Sequence, residues 1–100
     1  MPWQKKGDAM FFAVLYHAAP GGQEHRADVR PLHRGYLDPI VREGRVAFAG
    51  PFIDGSGDGL ILLEAPSLGD AWNFVSGDPY VREGIVNVVE VRPVEKVYPS

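Results

Sequence analysis

The sequence contains no cysteine, which removes disulfides, thiolate metal sites and a cysteine nucleophile. It has no apolar run near the roughly 18–20 residues that a membrane-spanning helix requires, so no membrane partner is expected. It also lacks a basic tract. Ten Lys and Arg are set against thirteen Asp and Glu, for a net charge of −3. The two signs alternate along the chain, which is not the pattern that a nucleic-acid backbone selects. Lys5 and Lys6 are followed by no apolar secretory segment, so a cytoplasmic protein is expected. Histidine is scarce too. His17, His33 and Asp78 have none of the close spacings of a zinc site, and neither a metal nor another cofactor is expected.

What is present suits one small domain. The 100 residues are 45% apolar and carry 11% aromatics, enough for a real core in a chain of this size. Residues 1–8 read as a flexible polar leader, loosely held unless Trp3 finds a groove. Residues 9–100 read as the domain.

Ala9 to Tyr16 is short, aromatic and apolar on both alternating faces, the pattern of a central strand. His17 to Ala27 reads as a loop turning on Pro20-Gly21-Gly22. A helix is predicted from Pro31, a favoured first helical residue, to Gly44, a left-handed stop. Pro39 predicts a bend, or two helical pieces meeting near Asp38. On this helix Leu32, Tyr36, Leu37, Ile40 and Val41 form one apolar face with His33 near its middle. A second strand spans Arg45 to Ala49 and ends on Gly50-Pro51, a hairpin covers Phe52 to Asp58, and a third strand spans Gly59 to Ala65. Ser67 and Asp70 form a capping-box pattern ahead of a second helix, with Leu68, Ala71, Trp72 and Val75 as its core stripe and Gly77 as its end. Asp78-Pro79-Tyr80 starts a short turn closed by Gly84. The fourth strand is Ile85 to Arg92, and Val94 to Tyr98 suggests a short fifth.

The order β-α-β-β-α-β points to an α+β, ferredoxin-like antiparallel sheet with both helices on one face. That topology brings the helix carrying Arg30 and His33, the Gly50-Pro51 strand end and the Asp78-Pro79-Tyr80 turn to one end of the molecule. The opposite sheet face has no helix to cover it, although the inner strands are apolar on both sides. A homodimer packed through that face is expected. At the shared end, His33 beside Asp78 would make an acid–base pair for a small-molecule ligand. Arg30 or Arg34 could hold an anionic or phenolic oxygen, while Gly50 and Pro51 leave room for a ligand to approach. The same residues also admit plain roles: a packed core histidine, a helix cap at Asp78, solvated arginines and a sharp strand end. Ser56 has no adjacent base, and His17 and His25 read as solvated loop residues.

Several marks in this order are similar to the YCII-related (YciI-like) family. They are Arg30-Pro31-x-His33, Glu43-Gly44, Ala49-Gly50-Pro51-Phe52, Gly59, Asp78-Pro79-Tyr80, Gly84 and Arg92-Pro93, spread from Met10 to Val97. The resemblance implies a dimeric α+β barrel type of fold and a histidine–aspartate active site carried over onto His33 and Asp78. The break at Pro39, the leader and the short hairpin depart from the family pattern, and the short hairpin leaves loop-supplied ligand contacts in doubt. Chemistry known in the family includes loss of HCl from a chlorinated hydroxylated aromatic. Related barrels include muconolactone isomerases and cofactor-free monooxygenases. The implied function is a lyase- or isomerase-like acid–base enzyme, with His33 and Asp78 catalytic and Arg30, Gly50, Pro51 and Tyr80 binding substrate. The alternative is a non-catalytic dimeric module, binding a small molecule or a protein, with a structural histidine.

Overall fold

In a computed structural model of the chain, residues 10–98 are described; the leader expected at residues 1–8 lies outside them. Four strands, β1 (Met10–Ala18), β2 (Val46–Pro51), β3 (Gly59–Ala65) and β4 (Val86–Val94), form one antiparallel sheet in the order β2-β3-β1-β4. Helices α1 (Arg26–Arg42), α2 (Leu68–Ser76) and α3 (Pro79–Arg82) complete it. This is the ferredoxin-like α+β arrangement, and it follows from strand character. β1 and β3 are apolar on both faces, so they take the centre of the sheet. Residues 95–98 form no fifth strand. Proline at 93, opposite Phe12, already weakens pairing near the end of β4.

Registry sorts the side chains into two layers. Phe12, Val14 and Tyr16 of β1 lie in the core with Ile61 and Leu63 of β3, Leu37 and Ile40 of α1, and Ala71 and Val75 of α2. The alternate residues Ala13 and Leu15 pair with Leu62 and Leu60 on the other face, which no helix covers. In β2 the pairing slips between Val46 and Phe48. The slip sets Phe48 opposite Leu62 on that same open face, where it is 55% exposed.

α1 departs from its prediction. It begins at Arg26, after a 3₁₀ turn at Gln23–His25, and runs as one helix through both Pro31 and Pro39. A proline inside a helix leaves the carbonyl four residues back without its donor. Here those carbonyls belong to Ala27 and Gly35, both exposed residues, so neither carbonyl is a buried group that must find a protein donor. The helix therefore continues, and His33 sits in its interior rather than near its start. Its apolar face is also narrower than expected, since Leu37 and Ile40 are buried while Leu32 and Val41 are exposed. Its end is as expected. Gly44 adopts φ +80°, and the Gly44 and Arg45 amides donate to the Val41 and Ile40 carbonyls at 3.0 Å each. This is a Schellman motif.

α2 keeps its cap but turns its face. The Ser67 hydroxyl accepts from the Asp70 amide at 3.1 Å and donates to the Asp70 carboxylate at 2.9 Å. Ala71 and Val75 are buried and Phe74 packs against the core, whereas Leu68 and Trp72 lie outward, Trp72 39% exposed. The expected stripe is thus rotated by about one position. The anchor is Tyr36 of α1, whose ring stacks on Phe74 at 4.8 Å and whose hydroxyl donates to the Phe74 carbonyl at 2.7 Å.

Two stability measurements follow. A Cβ at Gly22 would collide with the Gly84 carbonyl oxygen and lie 2.8 Å from Ile85 Cα, both backbone, so Gly22→Ala is expected to cost about 1–3 kcal/mol in urea unfolding. An unchanged midpoint would show that this loop is not packed as described. Phe12→Ala is expected to cost about 3–5 kcal/mol, and Trp72→Ala well under half of that. Equal costs would return Trp72 to the core.

Candidate active site

The site is built around a carboxylate with no exposed surface. Asp78 caps α3 from an extended backbone, its Oδ1 accepting the Tyr80 amide at 2.9 Å. A residue in this position loses its water once the turn packs on the sheet, and it is 0% exposed. A buried carboxylate then needs further donors. It has two. The Tyr16 hydroxyl, arriving from β1, donates to Oδ2 at 2.9 Å, and Nδ1 of His33, arriving from α1, meets Oδ1 at 2.7 Å. Asp78 is therefore both a helix cap and the partner of His33.

Because an ionised carboxylate can only accept, Nδ1 carries a proton and the neutral ring keeps its lone pair on Nε2. The ring is fixed on its face as well, stacked on Tyr80 at 3.9 Å with 7° between the planes. His33 has 16% of its side chain exposed. Among the described residues Nε2 has no partner, yet no buried side-chain nitrogen or oxygen lacks one. Nε2 is therefore the atom that solvent, or a ligand, reaches.

It opens into a cleft of about 530 Å³ whose lining includes Arg30, His33, Gly50, Pro51 and Tyr80. The predicted residues thus meet at one end of the sheet, with Asp78 directly behind His33. Two flanking elements were not anticipated. Arg26 crosses the cleft, donating to the Gln23 side chain and to the Gly57 carbonyl at 2.8 Å each, with its guanidinium 5.1 Å from the Tyr80 ring centre. The short hairpin does reach the site after all, through Gly57. The other omission was Tyr16. Its signal was present in the alternation Phe12, Val14, Tyr16 along β1, since a tyrosine on a buried face needs a partner for its hydroxyl.

The remaining histidines stand apart. His17 belongs to β1 rather than a loop, is exposed, and lies 3.9 Å from Asp58, whose other carboxylate oxygen takes the Ala18 amide at 2.8 Å. His25, in the 3₁₀ turn, is exposed. Among the described residues no three His, Cys, Asp or Glu side chains gather as metal ligands would, and no helix is long and apolar enough to cross a membrane.

Comparison with known proteins gives a consistent placement. The YCII-related domain family matches residues 10–95. The protein YciI of Escherichia coli O6:H1 (strain CFT073) is 31% identical over 98 residues, an alignment covering 89% of this chain and all of that one. An uncharacterised protein of Haemophilus influenzae is 29% identical over the same extent. Among solved structures, the 5-chloro-2-hydroxyhydroquinone dehydrochlorinase (TftG) of Burkholderia phenoliruptrix AC1100, in complex with 2,5-dihydroxybenzoquinone, superposes with a TM-score of 0.74. It is 24% identical, and the match covers 86% of this chain and 94% of that one. The likeness is one of fold.

Alkaline titration tests the buried arrangement. Burial, and then the Asp78 charge beside it, push the Tyr16 hydroxyl far above its ordinary value near 10. Below pH 10 both folded and unfolded chains keep this proton, so the stabilisation is complete. As pH rises past 10 only the unfolded chain releases it, and stability falls by up to about 1.4 kcal/mol per pH unit. Tyr36, pushed upward mainly by its own burial, adds to the fall. Tyr16→Phe is expected to cost about 1–3 kcal/mol at neutral pH, since Asp78 Oδ2 loses its donor, and to flatten the decline above pH 10. Parallel alkaline curves for the two proteins would contradict this geometry.

Proposed function

The chain belongs to the YCII-related family, and on that premise we propose that it is an acid–base enzyme of the lyase or isomerase type. Its substrate is a small hydroxylated ring, chlorinated or not, or a lactone. The observation that carries the reading is the 2.7 Å contact between His33 Nδ1 and Asp78 Oδ1, which leaves Nε2 facing the cleft. In these roles Nε2 takes a proton from a substrate hydroxyl, and the imidazolium so formed rests against the Asp78 carboxylate. Arg30, on the cleft wall, holds the oxyanion left behind. The ring enters beside the Gly50-Pro51 strand end, and Tyr80 holds the imidazole plane from below.

On a chlorinated hydroquinone this set of groups suffices for loss of HCl. His33 moves a proton from a ring hydroxyl to the chlorine-bearing carbon, giving the keto tautomer. A second hydroxyl then gives its proton to Nε2 and its electron pair to a new C=O, and chloride departs with the C–Cl pair. The similar fold of a protein named as a dehydrochlorinase of such a substrate supports this choice of compound. We further propose that a second copy of the chain covers the open sheet face, where Leu15, Leu60, Leu62 and the exposed Phe48 form an apolar surface.

Chloride release from 5-chloro-2-hydroxyhydroquinone, and opening of small lactones, give the assay. His33→Ala and Asp78→Asn are each expected to lower kcat by about 10²–10⁴. Equal turnover by all three proteins would remove the proposal. Binding without turnover, unchanged in His33→Gln, would leave the non-catalytic module instead. For the assembly, sedimentation velocity is expected to give twice the chain mass, falling to the single-chain mass in Phe48→Glu. A wild-type protein that sediments as one chain would refute the dimer.

A further inference from the structure

The cleft is more cationic than one reacting hydroxyl requires. Arg26, Arg30 and Arg34 all line it, four residues apart along one side of α1, and among the described residues no aspartate or glutamate lines it. The chain as a whole carries a net charge of −3, so this concentration of positive charge is local. The three arginines are also not equivalent. Arg26 is committed to the Gln23 side chain, the Gly57 carbonyl and the face of Tyr80. Arg30 and Arg34 make no hydrogen bond, ion pair or ring contact among the described residues. They flank His33 in sequence and lie one helical turn apart, about 5–6 Å between Cβ atoms.

We propose, resting on the catalytic reading above, that the substrate is an acid: a hydroxylated ring bearing a carboxylate in addition to the hydroxyl that reacts. Arg30 meets the reacting oxygen, and Arg34 anchors the carboxylate one helical turn further along α1. A guanidinium presents paired N–H donors that match the two oxygens of a carboxylate, and such charge-assisted pairs are about twice as strong as neutral ones. Two further features fit such a ligand. The cleft's size falls in the roughly 300–1,000 Å³ range of small-molecule sites. Its positive wall on an acidic chain draws anions in preference to neutral compounds. A neutral hydroquinone would satisfy Arg30 and leave Arg34 without a partner.

The probes are 2,5-dihydroxybenzoate, its methyl ester and hydroquinone, titrated into the whole protein by isothermal calorimetry at low and at 0.5 M salt, with inorganic phosphate as competitor. The acid is expected to bind at least about tenfold tighter than the ester or hydroquinone, with that margin shrinking in salt. Arg34→Gln is expected to remove most of the margin while leaving hydroquinone binding within about twofold. His33→Gln is expected to keep it. Equal affinities for acid and ester, or an Arg34→Gln that weakens all three probes alike, would overturn the inference. Phosphate competing as strongly as the acid would overturn the assignment to a carboxylate. A retained acid preference in a protein that turns nothing over would sink the enzyme proposal and keep only Arg34 as a carboxylate anchor; turnover of neutral hydroquinones with no acid preference would do the reverse.

Discussion

A carboxylate stripped of water is costly unless donors replace what it lost, and Asp78 is supplied from three places in the chain. One donor is local, the Tyr80 amide of its own turn; the Tyr16 hydroxyl comes from the central strand and the His33 imidazole from the long helix. Sheet, long helix and short helix are thereby tied to a single pair of oxygen atoms. Loss of any one donor leaves a buried charge short of a partner, so the positions of β1, α1 and α3 are coupled at the site. The same requirement orients His33, because its Nδ1 is committed to Asp78 and only Nε2 remains to face the cleft.

The rest of the fold holds those three donors at their distances. The Schellman end at Gly44 turns the chain from α1 into β2 and so brings Gly50 and Pro51 to the cleft. Gly22, pressed against the backbone at Gly84 and Ile85, seats the start of α1 beside the turn that carries Asp78 and Tyr80. Arg26 then fastens α1 to the hairpin through Gly57. The arginines of the helix differ accordingly: Arg26 acts as a strap, while Arg30 and Arg34 line the cleft with no partner among the described residues.

Short apolar runs bounded by turn residues were enough to read four strands and their order, because an apolar central strand has few other places to go. Ser67 and Gly44 announced their caps through local bonds that need no tertiary partner. Asp78, Pro79 and Tyr80 announced a turn for the same reason. Together with the strand order, these local signals brought Arg30, His33, Asp78, Gly50 and Pro51 to one end of the molecule. Local chemistry determined that much by itself.

Tertiary structure decided the remainder, wherever packing outweighed local preference. The prolines at 31 and 39 read as boundaries, yet the helix passes through both because the carbonyls they orphan belong to exposed residues. Trp72 and Leu68 fit the helical period but lie outward, because Tyr36 fixes α2 through Phe74 one position away. The slip in β2 that aims Phe48 at the open face leaves no mark in the residue pattern. Which partner Tyr16 would find, and that Arg26 would be spent while Arg34 meets no partner among the described residues, depended on distances between segments about thirty or more positions apart. A residue's own neighbours in sequence carry no record of such distances.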